Sequence, residues 1–348
     1  MIADAGNWFL TSGIQNSDGG VARYRHFDSG NLPVSTEITG YTVSTLCWFY
    51  QITGKKKYLD GAELSAKFLL EKAWHPEYSL FPFEVASPLP DSYFFDCGII
   101  IRGLLALWRI NKQQLLLDVA TACAYGMRQF QAEDGRWHPI ISLPHFKPQP
   151  HSAKWSREPG CFQLKAALAW LEVGELTNDP VLLTWFDKAL QQSLESDSIF
   201  LVGSGNNVEY MNRLHAYCYF LEALLKRPDH GKTLALGMEK ASKLLDHLAP
   251  KFERSDVCAQ LLRVQVMASQ IGIAQLGSVA ANASAERLAA YQFSSGGKEL
   301  EGGFGFGRSA GAIMPMVNPV STAFGAQALV MFHRYQAGGD AGRLTDLI

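Results

Sequence analysis

The sequence has no apolar run approaching the roughly 20 residues that a bilayer crossing requires, so a membrane-spanning role finds no support in it. Net charge is nearly absent too. Lys and Arg number 31 against 33 Asp and Glu, which removes the electrostatic case for nucleic acid or a polybasic membrane contact. The six cysteines form no C-x-x-C pair. Most of Cys47, Cys97, Cys123, Cys161, Cys218 and Cys258 sit in apolar stretches, where a free thiol behaves as a small hydrophobe, so they are expected reduced and in the core. The opening MIADAGNWFL lacks the basic start and long apolar centre of a secretion signal, which points to a cytoplasmic protein. No Pro/Gly/Ser-rich or charged run marks a boundary, and a single domain over 1–348 is expected.

What the chain does have is length, apolar content and repetition. With 348 residues and 47% hydrophobic composition it can bury a large core. ITGKKKYLDGAELSAKFLLEKA (52–73) has a counterpart in INKQQLLLDVATACAYGMRQF (110–130), where Ile52 matches Ile110, Leu59 matches Leu117 and Asp60 matches Asp118. LTNDPVLLTWFDKALQQSL (176–194) and RPDHGKTLALGMEKASKLLDHL (227–248) are looser copies. Each follows a segment whose apolar residues recur at three- and four-residue spacing around most of a helix: GYTVSTLCWFYQ, GIIIRGLLALWR, FQLKAALAWLEV and LHAYCYFLEALL. A helix apolar on nearly all sides is a buried one, and its more polar successor should lie outside.

VCAQLLRVQVMASQIG (257–272) and VSTAFGAQALVMFHRY (320–335) add two more inner helices, and ADAGNWFLTSG supplies the last one with an outer partner. Six inner and six outer helices at a period of about 50 to 65 residues predict an all-α chain, a single (α/α)6 barrel with long loops at one mouth. Only short β-ribbons are expected in the loops. QNSDGG (15–20) and QAEDGRW (131–137) follow outer helices. Gln15 and Gln131 are expected to tie off those ends, with Asp18-Gly19 and Asp134-Gly135 making the turns.

The same stretches carry a resemblance. NWFLTSGIQNSDGG and YGMRQFQAEDGRW resemble the cyclase/prenyltransferase repeat, and GGFGFGRSAG (302–311) looks like a glycine-rich prenyltransferase segment. STEITGYTVSTL, FFDCGIIIRGLLAL and TGKKKYLDGA resemble bacterial toroid proteins associated with polysaccharide genes, within the superfamily that also holds the six-hairpin carbohydrate-active enzymes. That likeness spans most of the chain and implies fold more than reaction. The D-x-D-D acid motif of squalene–hopene-type cyclases is missing. SDVC offers Asp256 and Cys258 as in the prenyltransferase zinc site, yet His333 lies at the far end of the following inner helix, so no metal and no cofactor is expected.

In such a barrel the segments entering the inner helices converge, and their polar residues are the candidates. At the first, Glu37 and Tyr41 lie four apart on one face. Glu37 either meets a ligand or simply complements the helix N-terminus. At the second, Asp96 sits among Tyr93, Phe94 and Phe95, either as an acid with an altered pKa or as a cap. HSAKWSREPGCFQ brings His151, Trp155, Arg157 and Glu158 on a long loop, a sugar platform or a solvated loop anchored by Trp155. Glu209, Asn212 and His215 share a helical face, with His215 as acid/base or as a hydrogen-bonded structural residue. Asp256 and Gln260 are again four apart, and Arg308 and Asn318 precede the last inner helix. Arg23, Arg25 and His26, the part of the opening stretch without a repeat, suit an acidic ligand.

These residues point first to a carbohydrate-active protein working on an oligo- or polysaccharide, uronate-containing in one version, by hydrolase, lyase or epimerase chemistry. Asp96 and Glu158 are the expected acid/base pair with Glu37 third, and the remaining residues hold sugar. A non-catalytic glycan-binding or scaffold protein and an isoprenoid cyclase-like enzyme are the alternatives.

Overall fold

The structure, a computed structural model, describes residues 2–85, 87, 90–152, 154–202 and 205–348. Twelve α-helices run among these residues: α1 (Ile2–Thr11), α2 (Thr36–Thr53), α3 (Lys56–Phe68), α4 (Phe94–Asn111), α5 (Gln114–Gly126), α6 (Gln163–Thr177), α7 (Pro180–Phe200), α8 (Asn207–Leu224), α9 (Gly231–Leu248), α10 (Ser255–Gln270), α11 (Ser278–Ala289) and α12 (Pro319–Gln336). They fall in two compact units. One holds Gln15–Arg23 and Pro33–Phe200, and the other holds Met1–Ile14, Tyr24–Leu32 and Leu201–Ile348.

In the first unit, the hairpins α2/α3, α4/α5 and α6/α7 place α2, α4 and α6 side by side. In the second, α8/α9 and α10/α11 form hairpins, α1 packs against α12, and α8, α10 and α12 are the inner helices. Burial follows the apolar patterning. Twelve of the 18 residues of α2 are buried, against six of the 13 in α3, whose outer face carries its lysines and acids. Close approach within the first unit is made by glycine. A Cβ on Gly40 would meet Ile100 Cα at 2.9 Å, and one on Gly103 would meet the Gly40 carbonyl oxygen at 2.5 Å, so α2 and α4 cross where neither has a side chain. All six cysteines are buried and none forms a disulfide, as their apolar surroundings imply.

The glutamine–glycine stretches are loop closures. Gln15 Nε2 donates to Gly61 O at 2.9 Å and to Ser65 Oγ at 2.7 Å, both on α3, and Asp18 Oδ1 accepts from Gly20 N at 3.1 Å. Gly19 has φ +95°, and a Cβ there would run into the Leu64 carbonyl. After α5 the pattern repeats: Gln131 Nε2 donates to Gly135 O, which also accepts from Gln192 of α7 at 2.8 Å. A third copy follows α11, where Gln292 Nε2 donates to Gly302 O at 3.0 Å and Gln292 bridges Phe304. Its longer spacing hid it in the sequence. In each copy the loop packs on an outer helix that comes next in the order α1, α3, α5, α7 or, after α11, on α1 itself.

Short strands lead into the inner helices. Asp91–Tyr93 pairs with Ile140–Ser142 before α4, Phe252–Arg254 pairs with Gly307–Ser309 before α10, and Met316–Val317 pairs with Arg25–His26 before α12. This strand-to-helix step fixes the direction of the first helical turn, where the candidate acids lie. Among the described residues no helix is long and apolar enough to cross a membrane.

Candidate functional site

In the first unit, the starts of α2 and α4 bring two carboxyl groups together. Ser35 Oγ accepts from Ile38 N at 3.4 Å, and the buried Thr36 hydroxyl donates to Pro82 O at 2.6 Å, so the first turn of α2 is held at both ends and presents Glu37. Tyr93 enters α4 without a side-chain cap, and Asp96 in its first turn is only 4% exposed. Asp96 Oδ2 is buried with no hydrogen-bond partner.

Burial, reinforced by the Glu37 charge, drives the Asp96 carboxyl well above the usual carboxylate range, while Arg23 opposes the rise. Burial likewise pushes Glu37 up to about 7, again against Arg23. Arg23 itself donates from Nη2 to Glu84 Oε1 at 2.5 Å and lies 4.7 Å over the Phe83 ring. Tyr93, next to Asp96, is raised by burial and by Asp96, and is hydrogen-bonded to Arg157, which opposes the rise. A carboxyl held protonated beside one that ionises near 7 is an arrangement able to give a proton and to take one.

The second unit gathers a different set around a residue that sequence reading missed. Arg254 ends the strand before α10. Its Nε and Nη2 donate to the two oxygens of Asp256 at 3.0 and 2.6 Å, and its Nη1 donates to Asn212 Oδ1 at 2.7 Å. Gln260 Oε1 lies 2.8 Å from His215 Nδ1 and can only accept, so that nitrogen carries the proton. Burial, with Arg254 adding to it, lowers His215 to about 4, which keeps the imidazole neutral. Burial would raise Asp256, but Arg254 and His215 bring it below its ordinary value, so it stays charged. Gln260 Nε2 is buried without a partner. The signal for Arg254 was available as a basic residue two positions before an acid at a helix start.

Arg23, Glu37 and Asp96 are therefore brought together in one unit, and Asn212, His215, Asp256 and Gln260 in the other. The other expected residues make contacts of their own. Tyr41 is 2% exposed, so its ring packs in the core and offers no stacking face. Trp155 is half-buried with its edge on Phe162, ring centroids 5.1 Å apart, and Glu158 closes the same short 3-10 turn, whose Arg157 bonds to Tyr93. The carboxylate that acts on Asp96 is Glu37. Arg25 and His26 lie in the strand beside Met316–Val317, with Arg25 Nη1 donating to Asn31 Oδ1 at 3.1 Å. Arg308 lies 4.8 Å over the Tyr291 ring, and Asn318 Oδ1 caps α12 by accepting from Val320 N and Ser321 N. Glu209 closes a capping box with Asn206 and so leaves the face it shares with His215.

The zinc-like pair also diverges. Asp256 is engaged by Arg254, whereas burial and Glu253 push the Cys258 thiol up, with Arg287 opposing. Among the described residues no three His, Cys, Asp or Glu side chains gather as a metal site.

No protein-family model matches the chain, and neither does any curated protein sequence. Solved structures do. A sugar epimerase from a ruminal bacterium is similar with a TM-score of 0.67 at 12% identity, over 91% of this chain and 94% of that one. A cellobiose 2-epimerase from Bacillus thermoamylovorans gives 0.67 at 11%, over 89% and 92%. An unsaturated glucuronyl hydrolase from Bacillus sp. GL1, responsible for the degradation of glycosaminoglycan, gives 0.64 at 15%, over 96% and 97%. At these identities the likeness speaks to architecture, and it agrees with the hairpin order traced above: the chain has an (α/α)6-toroid fold.

Proposed function

We propose that this protein is a carbohydrate-active enzyme of hydrolase or epimerase type that acts on an oligosaccharide by carboxylate acid/base chemistry. The observation that carries the proposal is the pair Glu37 and Asp96 at the starts of neighbouring inner helices, one ionising at about 7 and the other held protonated by burial. Two such groups supply a proton to a leaving oxygen and accept one from water or from a carbon next to a carbonyl. The sugar-processing structures of like fold support the substrate class.

In this reading Asp96 is the general acid and Glu37 the base. Glu158, the partner expected from the sequence, is proposed as the third carboxyl at the same loop cluster. Arg23 and Trp155 are proposed to hold the sugar in the first unit, and His215, Asn212, Asp256 and Gln260 are proposed as a separate set of sugar contacts within the second. Arg25, His26, Arg308 and Asn318 are proposed as further sugar contacts within the second unit.

The test is a panel of neutral and uronate-containing oligosaccharides followed by mass spectrometry and NMR. Two products whose masses sum to that of the substrate plus one water identify hydrolysis, and an isomer of unchanged mass identifies epimerisation. Asp96→Asn and Glu37→Gln should each lower turnover by about 10²–10⁴. Full turnover in Asp96→Asn removes the acid/base assignment. Binding of a glycan without turnover in the wild type assigns a binding role instead.

A further inference from the structure

The positive charge that acts on both acids is hydrogen-bonded to a third. Arg23 is fixed at its backbone, where its N–H donates to Pro33 O at 3.1 Å and its neighbour Ala22 bridges Val34. Its guanidinium spans from there to Glu84 at 2.5 Å, over the Phe83 ring. The Pro82–Glu84 segment is pinned in turn. Pro82 O accepts from Thr36, the residue before Glu37, and Phe83 N donates to Asp91 O at 2.8 Å. The Phe83 ring also packs on Tyr93 at 4.8 Å, three residues before Asp96. The Arg23–Glu84 ion pair is thus clamped onto the first turns of both α2 and α4, although Glu84 belongs to neither helix.

We infer that Glu84 is a positioning residue: by holding the Arg23 guanidinium it keeps that charge from closing onto Glu37 and Asp96. This rests on the proposed acid/base role of Glu37 for its purpose, but its geometry is independent of that role. A guanidinium paired bidentately with Glu37 would hold the base as a permanently ionised, occupied carboxylate. Kept on Glu84, it tempers the two acids through space and leaves their oxygens open. The charged and titratable groups facing the Glu37–Asp96 pair are Arg23, which acts on both, Cys97 from α4 and Tyr93 with its partner Arg157 beside Asp96, and Glu84, which meets them through Arg23. Of these, Arg23 is the group whose side chain a single hydrogen bond redirects.

The experiment reads the ionisation of Glu37 directly, with no substrate. The side-chain carboxyl carbon of Glu37 is followed by NMR against pH in selectively labelled full-length protein, assigned by its disappearance in Glu37→Gln. Releasing Arg23 with Glu84→Gln should lower the Glu37 midpoint by about one pH unit. Removing the guanidinium with Arg23→Gln should raise it. The double variant should match Arg23→Gln alone, because Glu84 acts through Arg23.

If Glu84→Gln lowers the midpoint equally with and without Arg23, Glu84 acts only as a nearby negative charge and the inference is wrong. An unmoved midpoint in Glu84→Gln overturns it as well. Should Arg23→Gln fail to fold, Arg23→Lys replaces it: a lysine cannot reproduce the guanidinium fork, so the effect of Glu84→Gln must shrink in its presence. The titration and the turnover panel fail separately. A fully active Asp96→Asn defeats the catalytic reading while leaving the ion-pair clamp to stand or fall on the NMR midpoints.

Discussion

Replacing Glu37 by Gln should make the protein more stable at about pH 8 and leave it unchanged at about pH 4. Burial lifts the Glu37 carboxyl from 4.5 to about 7. The folded chain therefore keeps a proton that the unfolded chain has already released between those two values. Wild-type stability is complete below about 4.5, falls as pH rises through the window up to about 7, and is level above it. Glutamine has the same shape and never ionises, so the variant escapes the fall.

The span of about 2.5 pH units, at about 1.4 kcal/mol each, sets a ceiling near 3.5 kcal/mol. Glu37 is half-buried and shares the field of Arg23, and solvent screening reduces the expected gain to about 1–2 kcal/mol. Urea unfolding of wild type and variant at both pH values measures it. A variant that is destabilised equally at both pH values refutes the reasoning, because it would mean that the carboxyl is not held protonated by the fold. A gain at high pH together with lost turnover is the pattern expected of a group kept for chemistry at the expense of stability.

Two further outcomes concern the scaffold. Glu172 on α6 accepts from Arg102 Nε at 3.0 Å and Arg109 Nη2 at 2.7 Å, both on α4, with Arg102 only 7% exposed. Glu172→Ala should cost about 3–5 kcal/mol in urea unfolding, and Glu172→Ala with Arg102→Met should recover much of it, because the first change strands a buried charge. A cost below about 1 kcal/mol for the single variant contradicts the buried network. Gly19→Ala should destabilise by at least about 1 kcal/mol through its left-handed backbone alone, and by more because the Leu64 carbonyl occupies the place of the new methyl. The check is its unfolding midpoint beside that of Gly13→Ala, where φ is +79° but nothing lies within 4 Å. Equal midpoints rule out the close approach as a cause.

The helical hairpins were legible because their information is local. An inner helix such as α4 must be apolar on nearly all sides, and GIIIRGLLALWR says so without reference to any partner. The paired Gln-Asp-Gly stretches were legible for the same reason, since each is a short turn with its own hydrogen bonds. The third closure at Gln292 was not, because ten residues separate the glutamine from the glycine it bonds, and only folding makes them neighbours.

The site divides along the same line. Asp96 stood out as an acid among aromatics, and Asn212, His215, Asp256 and Gln260 stood out by their helical spacing. Which groups face one another depends on chain segments far apart in sequence. Glu37 acts on Asp96 across 59 positions, Arg23 reaches Glu84 across 61, and Arg254 reaches Asn212 across 42. Burial works the same way. Tyr41 and Glu37 look equivalent on one helical face, yet one ring is sealed in the core while the other side chain stays half-exposed. Sequence by itself determined the helices, their inner and outer faces and the residue types at each helix start, because periodicity is written along the chain. Only the tertiary structure decided which carboxyl keeps its proton and which arginine answers it, because desolvation and charge depend on distance in space.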